Sequence, residues 1–168
     1  LGRQLVRGRS EVILAVDETI NDGRLAGFLD YKVRVGAEGS VSIGRAVVAP
    51  EYRGQGVLRL MIEELFQHYS AADLDCALPL VSLYERFGFR VVCAQGSHVA
   101  MVRGQLEGKN WMLTEEELNS RKSVVQAKAA IRNSLGKATR AAYAKRDADE
   151  RAEAERVAQF IQAQSLSA

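Results

Sequence analysis

The stretch VVAPEYRGQGVLRLMIEEL, residues 47–65, joins a strand-like run to a helix-like run through two glycines and an arginine. The apolar, β-branched residues end at Pro50, and a helical pattern begins directly after Gly56. The first turn of a helix leaves backbone amides without partners, and glycine lets a ligand approach the backbone closely. The junction therefore predicts either a plain tight turn or a cradle for an anionic group such as pyrophosphate.

The junction differs from two common nucleotide-binding motifs. A P-loop requires Gly-Lys-Ser or Gly-Lys-Thr after the glycines, and none follows here. A dinucleotide fingerprint requires three glycines within a parallel βαβ unit, which this stretch does not supply. Taken alone, the sequence RGQG is compatible with a turn as well as with a phosphate site.

The apolar runs around the junction predict an α+β domain. Alternation and turn residues predict an antiparallel meander, with strands at 11–18, 24–35 and 41–49 and turns at 21–23 and 36–39. Apolar spacing predicts a helix over 57–69, with one face formed by Leu58, Met61, Ile62, Leu65 and Phe66. A short strand at 74–80, a short helix at 81–88 and a hairpin of 89–94 with 98–104 complete the domain.

Two motifs together point to a family. The pattern V-x-P-x-x-R-G-x-G at residues 48–56, followed by LYERFGF at residues 83–89, resembles the GCN5-related N-acetyltransferase (GNAT) superfamily. The resemblance covers roughly residues 11–106. It implies a mostly antiparallel central sheet with flanking helices, and the transfer of an acetyl or other acyl group from CoA to a primary amine.

The same resemblance implies roles for individual residues. Val47 and Val48 would bind the pantetheine arm through the backbone, and the Val48 amide would be the oxyanion donor. Tyr84 matches the tyrosine that protonates the leaving thiolate in many members. A phenol, with an ordinary pKa of about 10, can donate a proton to sulfur. The pyrophosphate of acetyl-CoA, the implied co-substrate, would be held by Arg53, Gly54, Gln55, Gly56, Val57 and Leu58.

The chain also departs from the family pattern. The family's first strand and first two helices, which shape the acceptor site, have no room before Glu11, so we expect the 1–111 domain to lack them. The strand at 41–49 contains no acid, which leaves Asp30, Glu38 or a chain of water molecules as candidates for a general base. Leu58 occupies a position where the family usually has Gly or Ala, and Ala77 one where many members have Asn.

Residues 112–168 predict a helical extension. Thr114 and Glu117 form a capping box, and an alanine-rich helix follows to about Gln164, with Gly136 as a possible break. Between Asn119 and Arg146 there are eight Lys or Arg and no acid, whereas residues 147–156 carry five acids and two arginines. Trp111 is expected to pack the end of the domain against this extension.

The extension has few large apolar residues, and we expect another chain to cover them, by self-association or through a different protein partner. These residues are Val124, Ile131, Leu135, Val157, Phe160 and Ile161. A solvated helix is the plainer alternative. Nucleic acid is a less favoured partner, because the basic stretch holds one aromatic residue, Tyr143.

Composition limits the remaining possibilities. Cys76 and Cys93 lack metal-ligand spacing, so we expect no metal site and two buried thiols in a reducing compartment, the cytoplasm. No apolar run approaches the ~20 residues of a membrane span.

The alternative to an enzyme is a catalytically inactive GNAT-fold protein that builds an assembly through its helical extension, such as a component of a phage virion.

Overall fold

A single seven-stranded sheet organises the computed structural model, which describes residues 3–6, 10–20, 23–110 and 114–165. The strands are β1 (Arg3–Val6), β2 (Ser10–Asp17), β3 (Arg24–Arg34), β4 (Ala37–Val48), β5 (Ala71–Cys76), β6 (Arg90–Gln95) and β7 (His98–Arg103). Their order in the sheet is β1-β2-β3-β4-β5-β7-β6, and every neighbouring pair is antiparallel except β4 with β5.

Within these described residues, five α-helices accompany the sheet. They are α1 (Val57–His68), α2 (Val81–Glu85), α3 (Glu115–Ser120), α4 (Lys122–Leu135) and α5 (Thr139–Ser165). Helix α1 forms the parallel crossover between β4 and β5 and buries Met61, Ile62 and Leu65 against the sheet. The predicted apolar face of this helix is therefore confirmed, and with it the α+β fold.

Most of the predicted elements are confirmed, with shifted ends. The meander of β2, β3 and β4 and the hairpin of β6 and β7 are present. Strand β4 begins at Ala37 rather than at residue 41, because the turn before it is shorter than predicted. Strand β5 lies at residues 71–76, and the Leu78–Leu80 segment that contains Pro79 is a 3₁₀ turn instead of strand. The structure also places β1 in the ten residues where we expected no strand.

Strands β4 and β5 separate after a short parallel contact. They pair only from Ser40 to Ser42 with residues 71–73 in the described part of the sheet. Directly beyond, the register against β3 changes from Tyr31↔Ile43 to Asp30↔Arg45, so Gly44 is the extra residue of a β-bulge. A bulge bends the strand that carries it. The rest of β4 therefore runs to Val48 with its β5-facing edge unpaired.

The helical extension is divided into three α-helices. The capping box is present: the Glu117 amide donates to Thr114 Oγ1 at 3.2 Å, and the Thr114 amide donates to the Glu117 carboxylate at 2.8 Å. Arg121 adopts an extended conformation and separates α3 from α4, a break that the sequence analysis missed. Gly136, with φ of 51°, ends α4 as anticipated.

The two halves of the extension differ in their packing. Val157 on α5 is fully buried in the core of the domain, and Phe160 and Ile161 pack against the same core. The expectation that another chain covers Val157 is therefore wrong, because the chain's own core covers it, whereas Phe160 and Ile161 are only partly covered by that core. On α4, Ile131 and Leu135 remain 44% and 41% exposed. Trp111 lies outside the described residues.

The two cysteines occupy different environments. Cys76 is buried and its thiol lies 3.6 Å from Met101 Sδ, but Cys93 is exposed, which corrects the prediction of two buried thiols. Within the described ranges, no cluster of side chains could hold a metal ion. None of the helices in those ranges is long and apolar enough to cross a membrane.

Candidate functional site

A cavity of about 650 Å³ lies where the end of β4, the glycine loop, the start of α1 and α2 meet. It brings together eight of the nine predicted site residues. Its lining consists of Ala46, Val47, Val48, Tyr52, Arg53, Gly54, Gly56, Val57, Leu58, Leu80, Leu83 and Tyr84. Gln55 is the exception, because its side-chain amide donates to the Glu51 carbonyl at 2.6 Å and it does not line the cavity.

The glycine loop presents bare backbone to this cavity. Gly54 and Gly56 have φ of 75° and 83°, values that side chains rarely adopt, and a Cβ at either residue would meet no atom within 4 Å. Gly56 is the N-cap of α1, and no side chain caps the helix or places an acid in its first turn. The first amides of α1 are thus left for an anion, whose charge the helix dipole also favours.

The unpaired edge of β4 contributes backbone groups. The Ala49 amide donates to the Ala26 carbonyl of β3 at 2.9 Å. Since backbone groups alternate in direction along an antiparallel strand, the amides of Val48 and Ala46 point away from β3, into the gap beside β5. Arg53 Nε donates to the Val48 carbonyl at 3.2 Å and ties the loop to this edge.

This alternation corrects the predicted role of Val47. Its backbone faces β3, so it lines the cavity with its side chain rather than with free backbone groups. Ala46 takes its place as a second residue with backbone facing the gap. Ala46 was not among the predicted site residues, although it lies two positions before Val48 and so shares its backbone direction.

Tyr84 closes the cavity from α2. Its ring packs edge-on against Phe89 at a centroid distance of 5.9 Å and is almost completely buried. Burial, followed by the nearby Cys76 thiol, raises the pKa of Tyr84 above its ordinary value, so the phenol is protonated at neutral pH. No hydrogen bond to its hydroxyl occurs among the residues that the structure describes, which leaves this donor for a ligand in the cavity.

Tyr52, which the sequence analysis missed, forms another wall. Its hydroxyl donates to the Asp17 carboxylate at 3.0 Å, which fixes the ring beside the loop. The Thr19 hydroxyl and amide also donate to Asp17 and lower the pKa of that carboxyl, with a smaller contribution from Tyr52. Asp17 is therefore an ionised anchor for Tyr52 and not a candidate base.

The two candidate bases lie in different places. Glu38 is exposed near the start of β4, ten residues before Val48 and thus roughly 33 Å along the strand, so it is too far from the cavity to act there. Asp30 pairs in register with Arg45, adjacent to the pair of Leu29 with the cavity residue Ala46. Of the two residues, the structure brings only Asp30 near the site.

Comparisons with known proteins find similar chains among the solved structures. Among solved structures, an acyl-CoA N-acyltransferase from Pseudomonas aeruginosa shares 27% identity over 58% of this chain and 69% of its own, with a TM-score of 0.49. Escherichia coli ElaA shares 23% identity over 58% of this chain and 70% of its own, with a TM-score of 0.47. PaiA N-acetyltransferase from Thermoplasma acidophilum, solved in complex with coenzyme A, shares 21% identity over 50% of this chain and 56% of its own, with a TM-score of 0.44. No curated protein matches the chain.

A family model provides the assignment. The model of the acetyltransferase (GNAT) domain matches residues 8–91, which is half of the chain and includes both the glycine loop and Tyr84. The matched range extends from the residues before β2 to the start of β6. On this match, the chain belongs to the GNAT acetyltransferase family.

Proposed function

We propose that this chain transfers an acyl group from acyl-CoA to a primary amine. The observation that carries the proposal is the cavity itself, which is lined by the bare glycine loop, the unpaired edge of β4 and Tyr84. An anion site, a row of outward backbone groups and a protonated phenol are the three features that a long phosphorylated thioester requires.

Each part of the cavity has a role in binding the co-substrate. The pyrophosphate fits at Gly54, Gly56 and the first amides of α1, where the open space and the helix dipole suit its charge. The outward amide of Val48 and the outward carbonyl of Ala46 pair with the amides of the pantetheine arm, as an added strand would. Leu58 and Leu83 provide apolar contacts to the methylene groups of that arm.

The transfer forms one bond and breaks another. The amine nitrogen bonds to the thioester carbonyl carbon, the carbon–sulfur bond breaks, and the electron pair of that bond remains on sulfur. The Ala46 amide, which lies farther from the phosphate loop than Val48, donates to the carbonyl oxygen as negative charge develops there. Tyr84 gives its proton to the sulfur and recovers one from the amine, while the other ammonium proton passes to solvent.

Binding of acetyl-CoA tests the proposal by thermal shift and calorimetry. At a ligand concentration ~100 times the dissociation constant, the protein should gain roughly 2.7 kcal/mol of stability. Gly56→Glu should abolish this gain, because it puts a carboxylate where the pyrophosphate binds. The matched control is Gly96→Glu, since Gly96 also has positive φ and open space around its Cβ position but lies in the β6–β7 turn.

Three results would count against the proposal. Absence of any shift at millimolar acetyl-CoA would remove the cofactor site and favour the non-catalytic assembly protein. Equal loss of binding in the Gly56 and Gly96 variants would assign the effect to backbone strain instead of to the loop. Binding without turnover across a broad set of amines would leave CoA recognition intact and would contradict the transfer step.

A further inference from the structure

Asp30 occupies a space that the backbone makes for it. The β-bulge at Gly44 lies beside Asp30, and a Cβ at Gly44 would come within 2.7 Å of Asp30 Oδ2. Any residue other than glycine would therefore displace the carboxylate. The bend that separates β4 from β5 and the placement of this acid thus depend on the same glycine.

The hydrogen bonding of Asp30 is incomplete. Its Oδ1 atom is buried and has no hydrogen-bond partner among the described residues. Arg45 Nε lies 3.4 Å from Oδ1 and forms an ion pair without hydrogen-bond geometry, while the Arg45 side chain is 77% exposed. A shielded carboxylate oxygen without a donor is costly to keep, and such groups in native proteins call for an explanation. A ligand with N–H donors would complete the site.

The position of Asp30 suits an acceptor and not the CoA. A Cβ at Gly27 would point at α1. Because side chains alternate between the two faces along a strand, those of Phe28 and Asp30 both lie on the face opposite α1. Their register partners on β4, Val47 and Arg45, share that face. Val47 also lines the cavity and is 43% exposed, so this face of the sheet borders the cavity.

We propose that the face formed by Phe28, Asp30, Arg45 and Val47 binds the acyl acceptor, and that this acceptor is a primary amine on an apolar body. The inference rests on the proposed function. The ammonium group binds the Asp30 carboxylate, and the apolar body contacts Phe28, which is half-buried, and Val47. The amine then enters beside Ala46. This residue follows Arg45 on β4 and pairs with Leu29, the residue before Asp30 on β3.

The charges of Arg45 and Asp30 should have opposite effects on amine binding. The Arg45 guanidinium competes with the incoming ammonium for Asp30, and it repels the same positive charge. Removing the arginine charge should therefore strengthen amine binding, while removing the Asp30 charge should weaken it. A purely structural ion pair predicts no such opposite effects, since the loss of either partner would only alter stability.

The test measures the binding of 2-phenylethylamine to the CoA-loaded protein by NMR titration and calorimetry. We expect Asp30→Asn to weaken binding about tenfold or more, which is the usual value of a charge-assisted hydrogen bond. Arg45→Gln should strengthen binding severalfold. Glu38→Gln is the matched control, because Glu38 is an exposed acid on β4 far from this face, and it should leave binding unchanged.

Two further probes separate the parts of the ligand. 2-Phenylethanol lacks the ammonium group and ethylamine lacks the apolar body, and each should bind more weakly than 2-phenylethylamine. Equal affinity of the wild-type and Asp30→Asn proteins for 2-phenylethylamine would overturn the proposal, as would 2-phenylethanol binding as tightly as the amine. If CoA fails to bind, the proposed function fails, while the same titration without CoA still tests whether Asp30 holds the amine.

Discussion

A Cβ atom on Gly27 would lie 3.3 Å from Val57 Cγ1, so the first turn of α1 packs closely on β3 where that strand has no side chain. The same Cβ would also lie 2.7 Å from the Val47 carbonyl oxygen. Gly27 thus fixes two parts of the cavity at once, namely the start of α1 and the end of β4. The phosphate site is positioned against the strand edge by this contact.

Gly27→Ala should therefore weaken both folding and CoA binding. The added methyl group overpacks the contact, and overpacking typically costs roughly 1–3 kcal/mol of unfolding free energy. Denaturant unfolding measures the first effect and calorimetry with CoA the second. Val57→Ala should recover part of the stability in the double variant, because it removes the contact with Val57 but not those with Met61 Cε and the Val47 carbonyl. An unchanged unfolding free energy in Gly27→Ala would contradict this account.

Tyr84→Phe should lower kcat by ~10²-fold or more and leave CoA affinity nearly unchanged, because it removes a proton donor but keeps the ring. Since burial raises the pKa of Tyr84, the wild-type rate should show no loss from ionisation of this phenol below about pH 10. Steady-state kinetics across pH measure both effects. Equal turnover of the two proteins would reduce Tyr84 to a packing residue, provided that both unfold with the same free energy.

The Cys76 thiol should make the protein less stable in alkali. Burial, with a smaller effect of Asp75, raises the pKa of Cys76 to about 11, from an ordinary value of 9.0. The folded protein then holds this proton more tightly than the unfolded chain. The resulting stability is complete below pH 9 and is lost as pH rises towards 11.

Between pH 8 and pH 10 this effect should cost about 1 kcal/mol of unfolding free energy, from the ordinary and shifted pKa values. Cys76→Ala should show a shallower decline than wild type over the same range, measured by urea unfolding. Cys93→Ala keeps the buried thiol and removes only an exposed one, so its decline should equal that of wild type. Parallel curves for all three proteins would refute the assignment to Cys76.

Helix α5 should be part of the folded domain. Val157→Ala should lower the unfolding free energy by roughly 1–3 kcal/mol, because it opens a cavity at a completely buried position. Val125→Ala on α4 is the matched control, since Val125 is 52% exposed, and it should change stability by less than about 0.5 kcal/mol. Equal effects of the two substitutions would mean that α5 does not contribute to the core.

The exposed apolar face of α4 should lead to self-association. The segment 119–146 contributes eight of the 23 positive residues and none of the 21 acids, so the rest of the chain carries a net charge of −6. A second copy therefore attracts, through this net negative charge, a basic helix with exposed Ile131 and Leu135. Light scattering should show a concentration-dependent increase in mass that salt weakens.

Ile131→Asp should abolish this association, whereas Val16→Asp, on β2 and also partly exposed, should preserve it. A constant monomeric mass up to high micromolar concentration would contradict self-association through α4.

The sequence was sufficient where local chemistry decides the structure. Period-two alternation gave the meander, the spacing of Met61, Ile62 and Leu65 gave the buried face of α1, and Thr114 with Glu117 gave a capping box, because each depends on neighbours along the chain. Arg53, Gly54, Gly56 and Tyr84 were predicted as site residues from a family resemblance that two short motifs carry, and the structure places all four at the cavity.

Only the tertiary structure decided the features that depend on strand register and long-range packing. The bulge at Gly44 determines which backbone groups of β4 face the gap, so Ala46 replaces Val47, and it brings Asp30 beside Arg45 while leaving Glu38 remote. A one-residue change in register reverses the direction of every group along a strand, and no local pattern reveals it. The burial of Val157 likewise requires α5 to return to a core formed by residues that precede it by many tens of positions.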